Sequence, residues 1–154
     1  MQQAYPVVLI RDGDSLIAEF PDVPEAMTVS VDENNILEWA EDALTVALSG
    51  YLDDRRDIPK PSKLKAGQKA IVLPPLIASK LAIYQAMREQ GVSQSELASR
   101  LHCDAKQIRR LLDLDHHSRM DFIDDALHEL GKKLVIDIQP LILHINRVKK
   151  LKRA

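Results

Sequence analysis

The spacing of apolar residues changes period near residue 32, and that change restricts the chain to a fold of mixed class. Before it, Met27, Val29 and Val31 alternate with Thr28 and Ser30, the period of two that sends successive side chains to opposite faces of a half-buried strand. After it, Leu37, Ala40, Leu44, Ala47, Leu48 and Tyr51 recur at spacings of three and four, which predicts a helix with one apolar face to lay across a sheet. Two more strands precede the change. Tyr5-Pro6-Val7-Val8-Leu9-Ile10 is apolar and β-branched, Asp12-Gly13 favours a tight hairpin turn, and Leu16-Ile17-Ala18-Glu19-Phe20 reads as the return. Pro21-Asp22-Val23-Pro24 turns the chain into the third strand. Asp32 is the expected N-cap of the helix, with Glu33 adding charge at the positive end of its dipole. Asp53 to Asp57 and the prolines at 59 and 61 end it, and Lys69 to Leu73 reads as a fourth strand before Pro74-Pro75 marks a boundary. Residues 1–73 therefore read as a β-β-β-α-β unit of α+β class.

From residue 74 the pattern is helical. Pro75 fits the first turn of a helix whose apolar positions are Leu76, Ile77, Leu81, Tyr84 and Met87, stopped by Gly91. Ser93-Gln94-Ser95-Glu96 is a capping box, in which Ser93 and Glu96 each serve the other's backbone N–H. Leu97, Ala98 and Leu101 follow on one face, His102-Cys103-Asp104 is a short break with Asp104 as the next cap, and Ile108, Leu111 and Leu112 are the buried positions of another helix. Gln94, Leu97, Ala98, Leu101, His102, Ile108 and Leu111 match the helix-turn-helix of many bacterial repressors. The small Ala98 lets the two helices cross closely. His102 stands where glycine is usual, and histidine tolerates a left-handed backbone better than bulky or β-branched residues. The exposed face of the second helix carries Lys106, Gln107, Arg109 and Arg110 beside Ala105, and these, with Ser93 and Gln94, are the candidate DNA contacts. Gln pairs with adenine and Arg with guanine in the major groove, while outward Lys and Arg neutralise phosphates.

Beyond this unit, Arg119 to Leu130 is amphipathic and Gly131 closes it. Lys133 to Ile138 reads as a strand that an otherwise helical region cannot pair internally, so a homodimer joined by a two-stranded ribbon is expected. That divides the chain into 1–73, a helix-turn-helix and dimerisation region 74–139, and a tail 140–154 with Arg147, Lys149, Lys150, Lys152 and Arg153.

Charge separates the same two halves. Residues 1–59 hold three basic and thirteen acidic residues, a formal −10, and residues 60–154 hold eighteen and ten, a formal +8. The first suits a cationic macromolecule and the second a polyanion. Several classes lose support. One cysteine, Cys103, allows no internal disulfide, and no apolar run approaches the roughly 20 residues of a membrane helix, so a soluble cytoplasmic protein without membrane contact is expected. None of the five glycines lies in a phosphate-cradling motif. Asp12, Asp14, Glu19 and Asp22 are the carboxylates a Mg²⁺-dependent nuclease would use, but Asp beside a hairpin Gly has local hydrogen-bonding reasons to be there. His102, Cys103, His116 and His117 lack tetrahedral zinc spacing, so neither metal nor cofactor is expected. Trp39 reads either as a recognition anchor or as packing on the helix flank.

With both halves placed, residues 4–139 resemble the HicB family of antitoxins from HicAB toxin–antitoxin systems. The resemblance rests on Tyr5-Pro6-Val7-Val8, Phe20-Pro21-Asp22-Val23-Pro24-Glu25-Ala26, Glu41-Asp42-Ala43-Leu44, Ile58-Pro59-Lys60-Pro61-Ser62, and Leu114-Asp115-His116-His117-Ser118 after the helix-turn-helix. It implies that the first half is a degraded RNase H-like domain without nuclease activity, which binds a small HicA-type toxin that cleaves mRNA. Glu19, Asp22, Glu25 and Trp39 are the candidate toxin contacts, and the second half would bind operator DNA to repress its own operon. The competing readings are an RNase H-like nuclease and a ligand-sensing transcriptional regulator.

Overall fold

The computed structural model describes residues 3–141. Its hairpin forms as expected: β1 (Ala4–Asp12) and β2 (Ser15–Glu19) pair antiparallel, and Gly13 takes the left-handed φ of 58° that the turn demands. β3 (Met27–Ser30) adds to β2 and β4 (Lys69–Val72) to β1, both antiparallel, giving the order β3-β2-β1-β4. The alternation in β3 has a consequence its residue types do not suggest. Thr28 and Ser30 stand opposite Ala18 and Leu16 on the side of the core, whereas Met27 and Val29 turn to the other side.

The helix α1 (Ile36–Asp53) buries Ile36, Ala40, Leu44, Leu48 and Tyr51 against Tyr5, Val7, Ala18 and Phe20 of the sheet region. Each wholly buried leucine contributes roughly 1.5–3 kcal/mol over its exposed state. Asp32 does not cap this helix. Its carboxylate accepts from the Asn34 backbone N–H at 2.9 Å and from Asn35 Nδ2 at 2.7 Å, so it closes a turn, and Asn35 occupies the N-cap position. Two intervening asparagines compete for the same carboxylate and delay the helix by one turn.

Five helices are present among the described residues. After α1 come α2 (Pro75–Gln90), α3 (Gln94–Arg100), α4 (Ala105–Leu112) and α5 (Met120–Glu129). Pro75 opens α2 and Gly91 ends it at φ 65°, as expected. Helix α2 serves two cores, giving Ile77, Leu81 and Tyr84 to the cluster beneath the sheet and Ile83, Ala86 and Met87 to the cluster shared by α3, α4 and α5. The halves are also tied by Tyr84, whose hydroxyl donates to the Arg56 carbonyl at 2.7 Å, and by Arg88, which donates to Asp57 at 2.7 Å and to the Arg55 carbonyl at 2.6 Å. The overall class is mixed α+β, an antiparallel sheet followed by helices.

Residues 133–138, expected as a strand, have no ladder partner among the described residues, and Val135, Ile136 and Ile138 are exposed. The basic residues of the tail, Arg147 to Arg153, lie outside the described residues.

Candidate nucleic-acid interface and protein-binding surfaces

Ser93 and Asp104 build the two-helix unit. The Ser93 hydroxyl accepts from the Glu96 backbone N–H at 3.1 Å, and the Asp104 carboxylate accepts from the Gln107 N–H at 2.9 Å. Half of the expected capping box is therefore present. The other half is replaced, because Glu96 turns its carboxylate to Arg100 Nη2 at 2.6 Å, a charge-assisted partner one turn away. Between the helices His102 takes a φ of 53°, the left-handed geometry expected of the turn. The Cys103 N–H donates to the Ala98 carbonyl at 3.0 Å, and Ala98 is buried in the cluster with Leu97, Ile108 and Leu111. Cys103 is half-buried, and burial together with the nearby Asp104 raises its thiol pKa.

Ile108 and Leu111 direct α4 inward. At about 100° per residue, Lys106, Arg109 and Arg110 straddle the opposite direction, with Ala105 and Gln107 on the two flanks. All five are exposed, as are Ser93 and Gln94. Ser93, Gln94 and Arg109 line an open cleft of about 1000 Å³ together with Leu52, Asp53 and Arg55. The three cations of α4 are also unneutralised. Arg11, Arg56, Arg88, Arg100 and Arg119 each pair with a carboxylate, while Lys106, Arg109 and Arg110 have no such partner among the described residues.

One residue that holds this surface escaped the sequence reading. Lys80 is wholly buried, and its Nζ donates to the carbonyls of Arg110 at 3.0 Å and Asp113 at 2.5 Å. A cation thus sits at the C-terminus of α4, where unpaired carbonyls and the helix dipole favour positive charge. Burial pulls the Lys80 pKa below its ordinary value, and the Asp113 carboxylate opposes that shift. The signal was present in the spacing, since Lys80 falls in line with Ile77, Tyr84 and Met87 on an apolar stripe. Leu114 then anchors the exit from α4 in the core beneath the sheet.

The candidate protein contacts of the first half do not converge. Asp22 accepts from the Ser62 N–H at 2.8 Å and from its hydroxyl at 3.0 Å, and Tyr5 donates to the Pro59 carbonyl at 2.7 Å, so together they latch residues 58–62 to the sheet. Burial, then the charge of Asp22, pushes the Tyr5 hydroxyl up to about 12. Glu25 accepts from the Tyr51 hydroxyl at 2.8 Å and from both Arg56 terminal nitrogens at 3.2 Å, while that guanidinium stacks 3.9 Å from the Tyr51 ring centre. Its pKa is lowered by a backbone hydrogen bond first and by Tyr51 and Arg56 next. Glu19 points away from α1, opposite to the inward Ala18 and Phe20, and Trp39 lies exposed on α1. These two are on different surfaces.

The carboxylates of the nuclease alternative are likewise dispersed. Glu19 is in register with Val8 and so lies four residues along β1 from Asp12, roughly 13 Å at strand rise. No group of three metal-ligating side chains occurs among the described residues, and no helix there is long and apolar enough to cross a membrane.

A four-stranded antiparallel sheet backed by one helix, joined to a capped helix pair with a free basic face, defines the mixed α+β architecture of the chain. Residues 4–82 match the family model of the HicB-like antitoxins of bacterial toxin–antitoxin systems. Antitoxin HicB 2 of Photorhabdus laumondii is 37% identical over 130 residues, covering 84% of this chain and 92% of the relative. Antitoxin HicB of Pseudomonas fluorescens is 35% identical over 136 residues, 88% and 93% of the two chains, and that of Escherichia coli K12 is 35% identical over 132 residues, 84% and 95%. The chain belongs to the HicB-like antitoxin family. It is an antitoxin of a toxin–antitoxin system, and a non-enzymatic protein.

Proposed function

We propose that this antitoxin neutralises a HicA-type mRNA-cleaving toxin through residues 1–73 and represses its own operon through residues 74–139. In this reading the sheet and α1 form a degraded RNase H-like domain, and α3 and α4 form a helix-turn-helix with α4 in the major groove of operator DNA. The observation that carries the DNA reading is the set of unpaired cations, Lys106, Arg109 and Arg110, on the outward face of a helix capped at both ends. The toxin reading rests on family membership, supported by the −10 charge of residues 1–59, which complements a basic RNA-binding protein and speeds encounter with it.

A homodimer completes the proposal. Residues 133–138, which have no ladder partner among the described residues and expose Val135, Ile136 and Ile138, would form an antiparallel ribbon with the same segment of a second copy, placing two α4 helices on successive half-sites. The cytoplasm, where both mRNA and operator are found, is the matching compartment.

Fluorescence anisotropy on duplex DNA from the gene's own promoter tests the repressor reading. Binding should weaken steeply with salt, and Arg109→Ala with Arg110→Ala should abolish it; unchanged affinity in the double variant contradicts the assignment. Copurification with the product of the adjacent short reading frame tests the toxin reading.

A further inference from the structure

The side of the sheet turned away from α1 carries an apolar row. The register sets Ile10 opposite Ile17 and Ile17 opposite Val29, so three β-branched side chains cross the sheet in line, with Val8, Glu19 and Met27 in the next row of the same face. Strand alternation sends all of them away from Val7, Ala18 and Phe20, which lie in the core under α1. Ile10 is 41% exposed, Val29 48% and Met27 58%. A contiguous apolar row of this kind is ordinarily covered by a second layer or a partner.

The rim of this face is anionic. Asp12 and Glu19 belong to it and Asp14 stands in the adjoining hairpin turn, and none of the three has an ion-pair or side-chain hydrogen-bond partner among the described residues. By contrast Asp22, Glu25, Asp32 and Glu33 are all engaged within the chain. The two strand cations, Arg11 and Lys69, stand opposite Leu16 and Val7 and so on the core side. At one end the face runs into a depression of about 440 Å³ lined by Val8, Glu19, Pro21, Pro24 and Met27. Apolar walls with a carboxylate at the edge suit the stem and head of an arginine or lysine.

We propose that this acid-rimmed sheet face, centred on Ile17 and Val29, is the surface that docks the toxin, and that the toxin inserts a cationic side chain beside Glu19. The proposal rests on the reading that residues 1–73 bind a basic toxin. Charge selects the occupant. Two copies of this face brought together would crowd six carboxylates, and nucleic acid would meet the same repulsion, whereas a basic protein neutralises them. On the outer face of α1, Trp39 and Val46 are two apolar residues set apart by the acidic Asp42, not a continuous row.

Titration calorimetry with the purified product of the adjacent reading frame tests this, using full-length antitoxin and variants. Val29→Lys with Glu19→Lys should weaken binding by roughly a hundredfold, the effect of losing central contacts and reversing a charge, while Trp39→Ala changes it by less than about threefold. A circular dichroism spectrum and Tm matching the wild type show that the double variant is folded. Glu19→Lys alone, a change on the surface, should still cost about tenfold and lower the salt dependence of binding. Toxin affinity unchanged in both Glu19→Lys and the double variant, or lost only on Trp39→Ala, overturns the surface assignment while leaving the toxin reading intact. A wild-type chain that does not bind the toxin overturns both.

Discussion

Replacing Lys80 by methionine isolates what a buried cation does for α4. Methionine has similar length and fills the apolar site, but it leaves the carbonyls of Arg110 and Asp113 without the donor now at 3.0 and 2.5 Å. Each bond from a charged donor is worth about 1.5–3 kcal/mol, and a partly buried charge at a helix C-terminus adds up to about 2 kcal/mol. Against these stands the desolvation penalty of the ammonium, several kcal/mol in effect, which methionine removes. The net loss expected is about 2 kcal/mol, which lowers Tm by roughly 4–8 °C in a chain of this size. Re-forming the loosened last turn of α4 on DNA should reduce promoter affinity by about tenfold. Circular dichroism melts and fluorescence anisotropy read the two effects, and hydrogen exchange should show faster exchange confined to the end of α4. The pH dependence has a definite sign. Because the folded-state pKa of Lys80 is lowered from 10.5, the unfolded chain binds more protons between that lowered value and 10.5, so this group makes stability rise with pH across that window. Lys80→Met should lack the rise. A variant as stable as the wild type, with unchanged exchange in α4, would refute the reasoning.

Other outcomes follow from single contacts. Tyr5→Phe should lose about 1 kcal/mol at neutral pH with its bond to Pro59. In the wild type the protonated Tyr5 contributes stability that is full below pH 10 and is lost as pH rises through about 12; urea unfolding from pH 8 to 11.5 should show that limb flattened in the variant. His102→Gly should stabilise by roughly 0.5–1 kcal/mol, since the residue already sits at φ 53° and glycine has no Cβ penalty there; a lower Tm would contradict this. Ala98→Leu overpacks the crossing of α3 and α4 and should cost about 1–3 kcal/mol together with promoter binding, as read by melts and anisotropy, while toxin binding survives. Asp22→Ala should release residues 58–62 and speed exchange of the Ser62 amide.

Local chemistry explains which features were legible without coordinates. The caps Ser93 and Asp104, the left-handed His102 and the buried Ala98, Ile108 and Leu111 all depend on neighbours within a turn or two, so spacing and residue type suffice. Asp32 went astray because Asn34 and Asn35 offered its carboxylate nearer partners than the helix did. Alternation in β3 revealed two faces but not which one α1 covers, and the apolar face is the open one. The internal partners of Asp22 and Glu25, namely Ser62, Tyr51 and Arg56, were not legible because they lie 26 to 40 residues away. Lys80 was passed over because lysine is rarely buried, although its position on the stripe of α2 was visible.

The central claim is that one chain carries two separable surfaces, and a single strain reads both. A reporter driven by the gene's own promoter is placed in cells expressing the toxin together with the Arg109→Ala, Arg110→Ala antitoxin. The expected result is full protection from growth arrest with the promoter derepressed. Loss of protection at equal protein abundance, or a promoter that stays repressed, would contradict the two-surface account.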